Sequence, residues 1–319
     1  MRPMLATRGT RVPTGAEWVH EVKWDGMRVL ASVRGGRLTL TSRNENDVTV
    51  SFPDLEGLAD RSVLGGHDVV LDGEIVAFLD GRPVFGALAD RMHVAQPRKA
   101  QLAADRNPVT LMLFDLLSFD GLDATTLQLS DRRQLLEQLG LDSPRWQVPP
   151  TYDDGLVLWE ATQAQGLEGI VSKKRSSCYL PGRRSEEWLK FPHRPGGSYV
   201  VGGWRLETGS TARLGALLVG EPTVDGLVYR GRVGSGVTGA VALRLRELLD
   251  PLTAGEPPFA TAVPREDALG TTWVRPEVVV DIRSLGLTPR DQRLRQPSYI
   301  GVRTDLTAQD LLVVGGEDG

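Results

Sequence analysis

Six short segments of the 319-residue chain place lysine, arginine and carboxylates in a recurring company. Glu21 to Val33, EVKWDGMRVLASV, sets Lys23 two residues ahead of Asp25 and Gly26 inside an ordinary strand pattern. Downstream come SRNE (Ser42 to Glu45), LDGE (Leu71 to Glu74), FDLL (Phe114 to Leu117), EGIVSK (Glu168 to Lys173) and WLK (Trp188 to Lys190). Taken alone, Lys23 is a common solvated strand residue beside a turn-favouring Asp-Gly pair. The rest of the series makes it a candidate nucleophile. Lysine can attack covalently, carboxylates can hold a hard metal ion, and cations can hold phosphate.

Other chemistries find little support. GSGVTG (Gly234 to Gly239) satisfies G-x-G-x-x-G, but a dinucleotide site also needs a βαβ unit and an acid about 20 residues on. Nothing here reads as a parallel strand followed by such an acid, and the pattern is weak in a chain with 36 glycines. The histidines His20, His67, His93 and His193 lie far apart and lack ligand spacing. No serine elbow and no G-x-x-x-x-G-K-[ST] loop occurs.

Net charge is −4, yet cations cluster locally. Lys173 to Arg194 holds seven Lys or Arg against two acids, and Arg283 to Arg303 holds five Arg against one Asp. Patches of that kind meet phosphates whatever the total charge. Cys178 is the single cysteine, which excludes an internal disulfide and fits a reducing compartment. The first 13 residues have no continuous apolar core, and no apolar run is long enough to span a bilayer, so a cytoplasmic protein without a membrane segment is expected.

The elements that must position these residues are mostly strands. EVKW, MRVLASV and RLTLTS, separated by DG and RGG, predict a β-meander with tight hairpins. DVVLDGEIVAFLDGRPV repeats the pattern, and the apolar run VTLMLFDLLSF predicts a buried central strand. Helical periodicity appears in FGALADRMH, SDRRQLLEQLG and LVLWEATQAQ; GLEGIVSKK and EEWLKFP add two short strands. PHRPGGS (Pro192 to Ser198) is the best linker candidate. Beyond it YVVGGWRL, LGALLVGE, GLVYRGRVG, EVVVDIRSLG and SYIGVR read as five strands, interrupted by the helix VALRLRELLDPL. That count fits a small closed barrel of OB type. The expected fold is α+β: a mostly antiparallel domain over residues 1–194, then a small all-β domain over 195–319.

The order K-x-D-G-x-R, S-R, D-G-E, aromatic-D, E-G-[IV]-V and W-x-K resembles the covalent nucleotidyltransferases: ATP-dependent DNA ligases, RNA ligases and mRNA capping enzymes. SRNEND, SSCYLPGRRSEEWLKFP, VVGGWR, LGALLVG and LRQPSYIGVRTD are most similar to bacterial ATP-dependent DNA ligases, above all the ligase module of bacterial ligase D and its stand-alone relatives. The resemblance covers essentially the whole chain. It implies an adenylation domain followed by an OB-fold domain.

The resemblance also implies roles. Lys23 would attack the α-phosphate of ATP and carry AMP as a phosphoramide, with Asp25 assisting at the nick. Such a lysine must be neutral against an ordinary pKa near 10.4, so burial and nearby cations are expected to depress it. Glu21 would read the adenine amino group, Phe114 would stack on adenine, and Arg28 and Glu74 would hold the ribose. Arg43 would meet phosphate and Lys190 the α-phosphate, while Arg303 and Asp305 belong to the last motif, R-x-D-K. Glu168, with Glu74, would bind Mg²⁺ or Mn²⁺. Lys173, Lys174, Arg175, Arg183 and Arg184 would track the backbone of double-stranded DNA at a nick or end. Implied partners are a Ku-like end binder and a primase-polymerase as separate proteins, because no polymerase or nuclease module is read in the chain, and the protein is expected to be a monomer.

Two departures stand out. Pro192 replaces the second lysine of W-x-K-x-K, leaving His193 or Arg194 as substitutes, and Leu306 replaces the lysine of R-x-D-K. Both losses bear on the first step, so slow self-adenylation is expected. An RNA ligase, a capping-type guanylyltransferase and a nick-binding scaffold with weakened catalysis are the competing readings.

Overall fold

Alternation of apolar and polar residues turns most of this chain into strands whose side chains two apart share a face. The computed structural model describes residues 1–79, 81–89, 91–92, 94–193, 196–207, 209–210, 213–284, 286–304 and 306–312. The chain divides into two compact units, Met1–His193 and Arg194–Gly319.

The first unit holds strands β1 (Leu5–Arg8), β2 (Trp18–Lys23), β3 (Met27–Arg34), β4 (Arg37–Ser42), β5 (Val69–Leu79) and β6 (Arg82–Pro83). It continues with β7 (Val109–Phe119), β8 (Leu122–Asp123), β9 (Trp146–Gln147), β10 (Gly169–Lys174) and β11 (Arg184–Pro192). Its helices are α1 (Arg61–Leu64), α2 (Phe85–Ala89), α3 (Pro97–Arg106), α4 (Leu129–Gln138) and α5 (Gly155–Ala164). One sheet runs β4-β3-β5-β7-β8, with β6 on β5 and β9 parallel to β7. The other runs β1-β11-β10-β2, antiparallel except for β1 beside β11.

This topology corrects the expected meander at its first turn. β2 pairs with β10, whereas β3 pairs with β4 and β5, so EVKWDGMRVLASV is a crossover between two sheets and not a hairpin. Gly26 is there for close approach: a Cβ on it would fall 2.2 Å from the Ile75 carbonyl oxygen. A true hairpin follows, with Gly35 and Gly36 at φ 55° and 75° joining β3 to β4. The run VTLMLFDLLSF is β7, hydrogen-bonded to β5 and largely buried, as its composition predicted. Helix α3 was not foreseen, because its buried side is just Ala100 and Ala104, too slight to show as an apolar stripe.

The second unit contains β12 (Gly196–Leu206), β13 (Leu214–Thr223), β14 (Gly226–Val233), α6 (Gly239–Leu249) and β15 (Thr253–Ala254). α7 (Arg265–Ala268), β16 (Thr271–Val274), β17 (Val279–Arg283) and β18 (Ser298–Val302) complete it. β12 is its centre, pairing with β13, β16 and β17, all antiparallel. The five strands read from the sequence are β12, β13, β14, β17 and β18, and their core gathers Val201, Trp204, Leu217, Val219 and Ile282 around Leu245 and Leu249 of α6. The linker candidate PHRPGGS contains the division between the units; within it β11 runs to Pro192 and β12 starts at Gly196. No helix among the described residues is long and apolar enough to cross a membrane.

Candidate active site

Register alone puts the chemistry-bearing residues of the four-stranded sheet on one face. Lys23 lies opposite Gly169, Glu21 opposite Val171, Val171 opposite Lys190, and Lys173 opposite Trp188. Trp18, His20, Val22, Ile170, Ser172, Leu189 and Phe191 take the other face, where Val22, Ile170, Leu189 and Phe191 pack with Leu158 and Trp159 of α5. Gly169 makes the front face possible. At φ 151°, it would drive a Cβ to 2.0 Å from the Phe191 carbonyl oxygen, so only glycine lets β10 start this close to β11. Glu168 immediately before it then reaches Lys23: Nζ and Oε1 are 2.5 Å apart.

That pair overturns one expectation. Burial works to lower the Lys23 pKa, but the charge and hydrogen bond of Glu168, then Glu74 and Asp25, outweigh it and hold the ammonium above its ordinary value. The depressed lysine is a different one. Lys190 is lowered to about 8 by burial, then by Lys23, Arg184 and Arg43, against the pull of Glu168. Lys23, Lys190, Arg43, Glu74, Asp25 and Glu168 therefore share one electrostatic neighbourhood.

Behind it lies a wall of buried charge and aromatic rings. Glu21 Oε2 is 2.7 Å from Lys173 Nζ, while its Oε1 is buried with no hydrogen-bond partner among the described residues. Lys173 Nζ sits 4.5 Å from the Phe114 ring centroid and 4.3 Å from that of Trp188. Arg28 covers the same rings at 5.2 and 5.7 Å, and its Nε and Nη2 donate to Asp72 Oδ1 and Oδ2 at 2.9 and 2.6 Å. Asp72, fully buried in LDGE, and Tyr179, which donates to it, were not singled out from the sequence. An aspartate inside an otherwise apolar strand was the available signal, since a buried carboxylate demands partners.

Known proteins resemble this chain. Residues 3–191 match the model of the ATP dependent DNA ligase domain, and residues 210–306 that of the ATP dependent DNA ligase C terminal region. The chain belongs to the ATP-dependent DNA ligase family. It is 39% identical over 317 residues to the multifunctional non-homologous end joining protein LigD of Mycolicibacterium smegmatis, covering 97% of this chain and 39% of that one. It is 33% identical over 255 residues to DNA ligase C of Mycobacterium tuberculosis, covering 77% and 68%. Among solved structures, a mycobacterial DNA ligase D complexed with ATP and MES superposes with a TM-score of 0.69 at 36% identity over 97% of each chain. The chain thus spans about two fifths of the length of the LigD relatives.

Where this chain departs from the family's motifs, its structure says how. Pro192 lies opposite Gly169 at the end of β11. His193 does not stand in for the missing lysine. Its ring centroid is 3.9 Å from that of Trp159, its Nε2 is 2.7 Å from Thr162 Oγ1, and burial lowers its pKa, which keeps it neutral near pH 7. Arg194 and Asp305 lie outside the described residues. Arg303 donates through Nη1 to Asp281 Oδ2 at 3.0 Å, and Asp281 also accepts from Ser198. Leu306 is 7% exposed and clusters with Val200, Leu227 and Val279, so its position is now part of an apolar core.

The expected DNA-facing set is only partly brought together. Lys173 leaves it: at 2% exposure, tied to Glu21, it belongs to the pocket wall. Strand alternation turns Lys174 to the opposite face, where it lies 5.7 Å from the Trp18 ring. Arg175 is engaged by Asp153 and the Ala16 carbonyl. Arg183 and Arg184 are exposed, the latter donating to the Ala6 carbonyl.

Proposed function

We propose that this ATP-dependent DNA ligase seals 5′-phosphate/3′-hydroxyl breaks in double-stranded DNA during non-homologous end joining, through a lysyl-AMP on Lys23. The observation that carries the site assignment is Lys23 Nζ held against Glu168 on a face it shares with Glu21 and Lys190. The neutral Lys23 amine attacks the α-phosphorus, an N–P bond forms, the bond to pyrophosphate breaks, and the amine proton leaves to solvent. An oxygen of the DNA 5′-phosphate then displaces Lys23 from the adenylate. The 3′-hydroxyl attacks that activated phosphate, releases AMP and closes the strand, with Asp25 beside Lys23 assisting.

Roles for the remaining residues follow their placement. The unpartnered Oε1 of Glu21 is left to accept from the adenine amino group, and half-buried Phe114 to stack on the base. Arg28 and Glu74, register partners on β3 and β5, hold the ribose. Lys190 and Arg43 meet phosphate. Among the described residues no three His, Cys, Asp or Glu side chains form a metal cage. Glu168 and Glu74 still fit Mg²⁺ or Mn²⁺, ions commonly held by one or two carboxylates plus substrate phosphates. When bound, such an ion neutralises carboxylate and phosphate charge, which eases deprotonation of Lys23.

The buried Leu306 and the neutral His193 support slow self-adenylation, and they are also the observations that favour the second reading, a nick-binding scaffold. A monomeric cytoplasmic enzyme working with a Ku-like end binder and a primase-polymerase completes the proposal. The test is a gel of protein incubated with α-labelled ATP and Mg²⁺ or Mn²⁺, followed by a nicked duplex. Label on wild type but not on Lys23→Ala, with sealing, supports the ligase. Nick binding without any adduct would favour the scaffold, and GTP outcompeting ATP would favour a capping-type enzyme.

A further inference from the structure

Arg28 is held from behind by a chain of hydrogen bonds that begins near the N-terminus. The Met4 amide donates to Tyr179 Oη at 3.0 Å, and that hydroxyl donates to Asp72 Oδ2 at 2.6 Å. Asp72 Oδ2 also receives Arg28 Nη2 at 2.6 Å, and Oδ1 receives Nε at 2.9 Å. Every link except Arg28 is buried, and the Arg28 side chain keeps some exposure. No acceptor is found for Nη1 among the described residues, so the guanidinium is committed at the back and uncommitted at the front. We propose that Tyr179 is a positioning residue for the nucleotide: its hydroxyl locks the Asp72 carboxylate, which fixes the plane in which Arg28 presents Nη1 to the ribose.

Physical chemistry supports the lock. A carboxylate receiving an arginine fork can still rotate about its Cβ–Cγ bond and carry the guanidinium with it. A third donor approaching Oδ2 from the segment between β10 and β11 removes that freedom. The donor direction is fixed as well, because the Met4 amide can only donate, so the tyrosine proton must point at Asp72. Burial, followed by the charge of Asp72, pushes the Tyr179 pKa well above its usual value, and the hydroxyl stays protonated at any working pH. The ring itself is packed independently, edge-on to Trp188 at 5.7 Å and against Arg132, so loss of the hydroxyl leaves its packing in place.

The proposal rests on reading this pocket as an ATP site, and the experiment separates the two. Equilibrium binding of ATP, 2′-deoxy-ATP and 3′-deoxy-ATP is measured for wild type, Tyr179→Phe, Arg28→Ala and the double variant, with melting temperatures alongside. Tyr179→Phe is expected to weaken ATP binding about 10-fold, the equivalent of about 1.4 kcal/mol. It should also narrow the preference for ATP over at least one deoxynucleotide toward that of Arg28→Ala. On the Arg28→Ala background it should change affinity by less than about twofold, because a residue acting through Arg28 has nothing left to act on. Should Tyr179→Phe fold poorly, Asp72→Asn is read in the same way. Equal losses on both backgrounds, or a lower melting temperature with an unchanged ATP preference, would leave Tyr179 as packing and overturn the proposal. Wild type that binds none of the three nucleotides would overturn the ATP site itself and the tyrosine's role with it.

Discussion

Two buried ion pairs, anchored on different sheets of the first unit, behave oppositely. Asp115 of β7 and Arg132 of α4 are both fully buried, and every donor of the guanidinium has an address: Nε and Nη2 to Asp115, Nη1 to the carbonyls of Leu127 and Ser177. Glu21 of β2 and Lys173 of β10 are nearly as buried, yet only Oε2 of the carboxylate meets the ammonium, at 2.7 Å, and Oε1 has no hydrogen-bond partner among the described residues. Desolvating a charge is costly unless its bonds are made. The satisfied pair ties α4 to its sheet. The unsatisfied pair carries an unmet demand that a bound base can answer, which separates scaffold from site without reference to conservation.

Substitutions on either side put that contrast to the test. Lys23→Ala should abolish the labelled adduct completely while shifting stability by less than about 1 kcal/mol, because its partner Glu168 is partly exposed. Residual adduct on that variant would move the nucleophile elsewhere. On the scaffold side, Asp115→Ala leaves Arg132 charged and buried, a loss of about 3–5 kcal/mol in guanidinium unfolding. A cost below about 1 kcal/mol would mean the satisfied pair is not structural after all.

Leu306→Lys tests whether an apolar core position can be returned to a motif. It should cost about 2 kcal/mol or more, by calorimetric melting, and fail to speed adenylation. Faster adduct formation at unchanged stability would show that 306 can still deliver a cation.

Lys190 gives the pH test. Its cation is present below about 8 and lost above, whereas Lys23 becomes nucleophilic only as pH rises. The adenylation kcat/KM should therefore climb with pH and level off near 8; Lys190→Arg should remove the levelling, a gap of about tenfold at pH 9. Identical profiles would exclude Lys190 as the phosphate-holding cation. The smallest change expected is from Glu21→Gln, a weakening of ATP affinity of about fivefold with stability nearly kept, since the amide can still face Lys173 through its oxygen. Unfolding as severe as that of Asp115→Ala would erase the distinction between the two pairs.

Sequence carried much of this architecture because the chemistry is local in the chain. Lys23, Glu74, Glu168 and Lys190 sit in short motifs whose order survives folding, and strand alternation is visible wherever one face is buried. Pairing is not visible. Nothing in EVKWDGMRVLASV says that β2 and β3 enter different sheets, because a period of two is the same in either. The doublet Lys173-Lys174 shows the same limit: one lysine faces the pocket and the other the back, and only the register with β2 decides which. His193 looked like a spare cation until Trp159 and Thr162 claimed it. Tyr179 and Met4 meet across 175 positions of chain, a contact no window of sequence could hold.

The grip of Glu168 on Lys23 has a bookkeeping consequence for the solvent. Free protein keeps that amine as an ammonium with three protons, whereas the phosphoramide proposed for it would keep one. On that proposal each charging step releases protons to pyrophosphate and the buffer, so the heat evolved should vary with the buffer's own ionisation enthalpy, and mild acid should slow adduct formation.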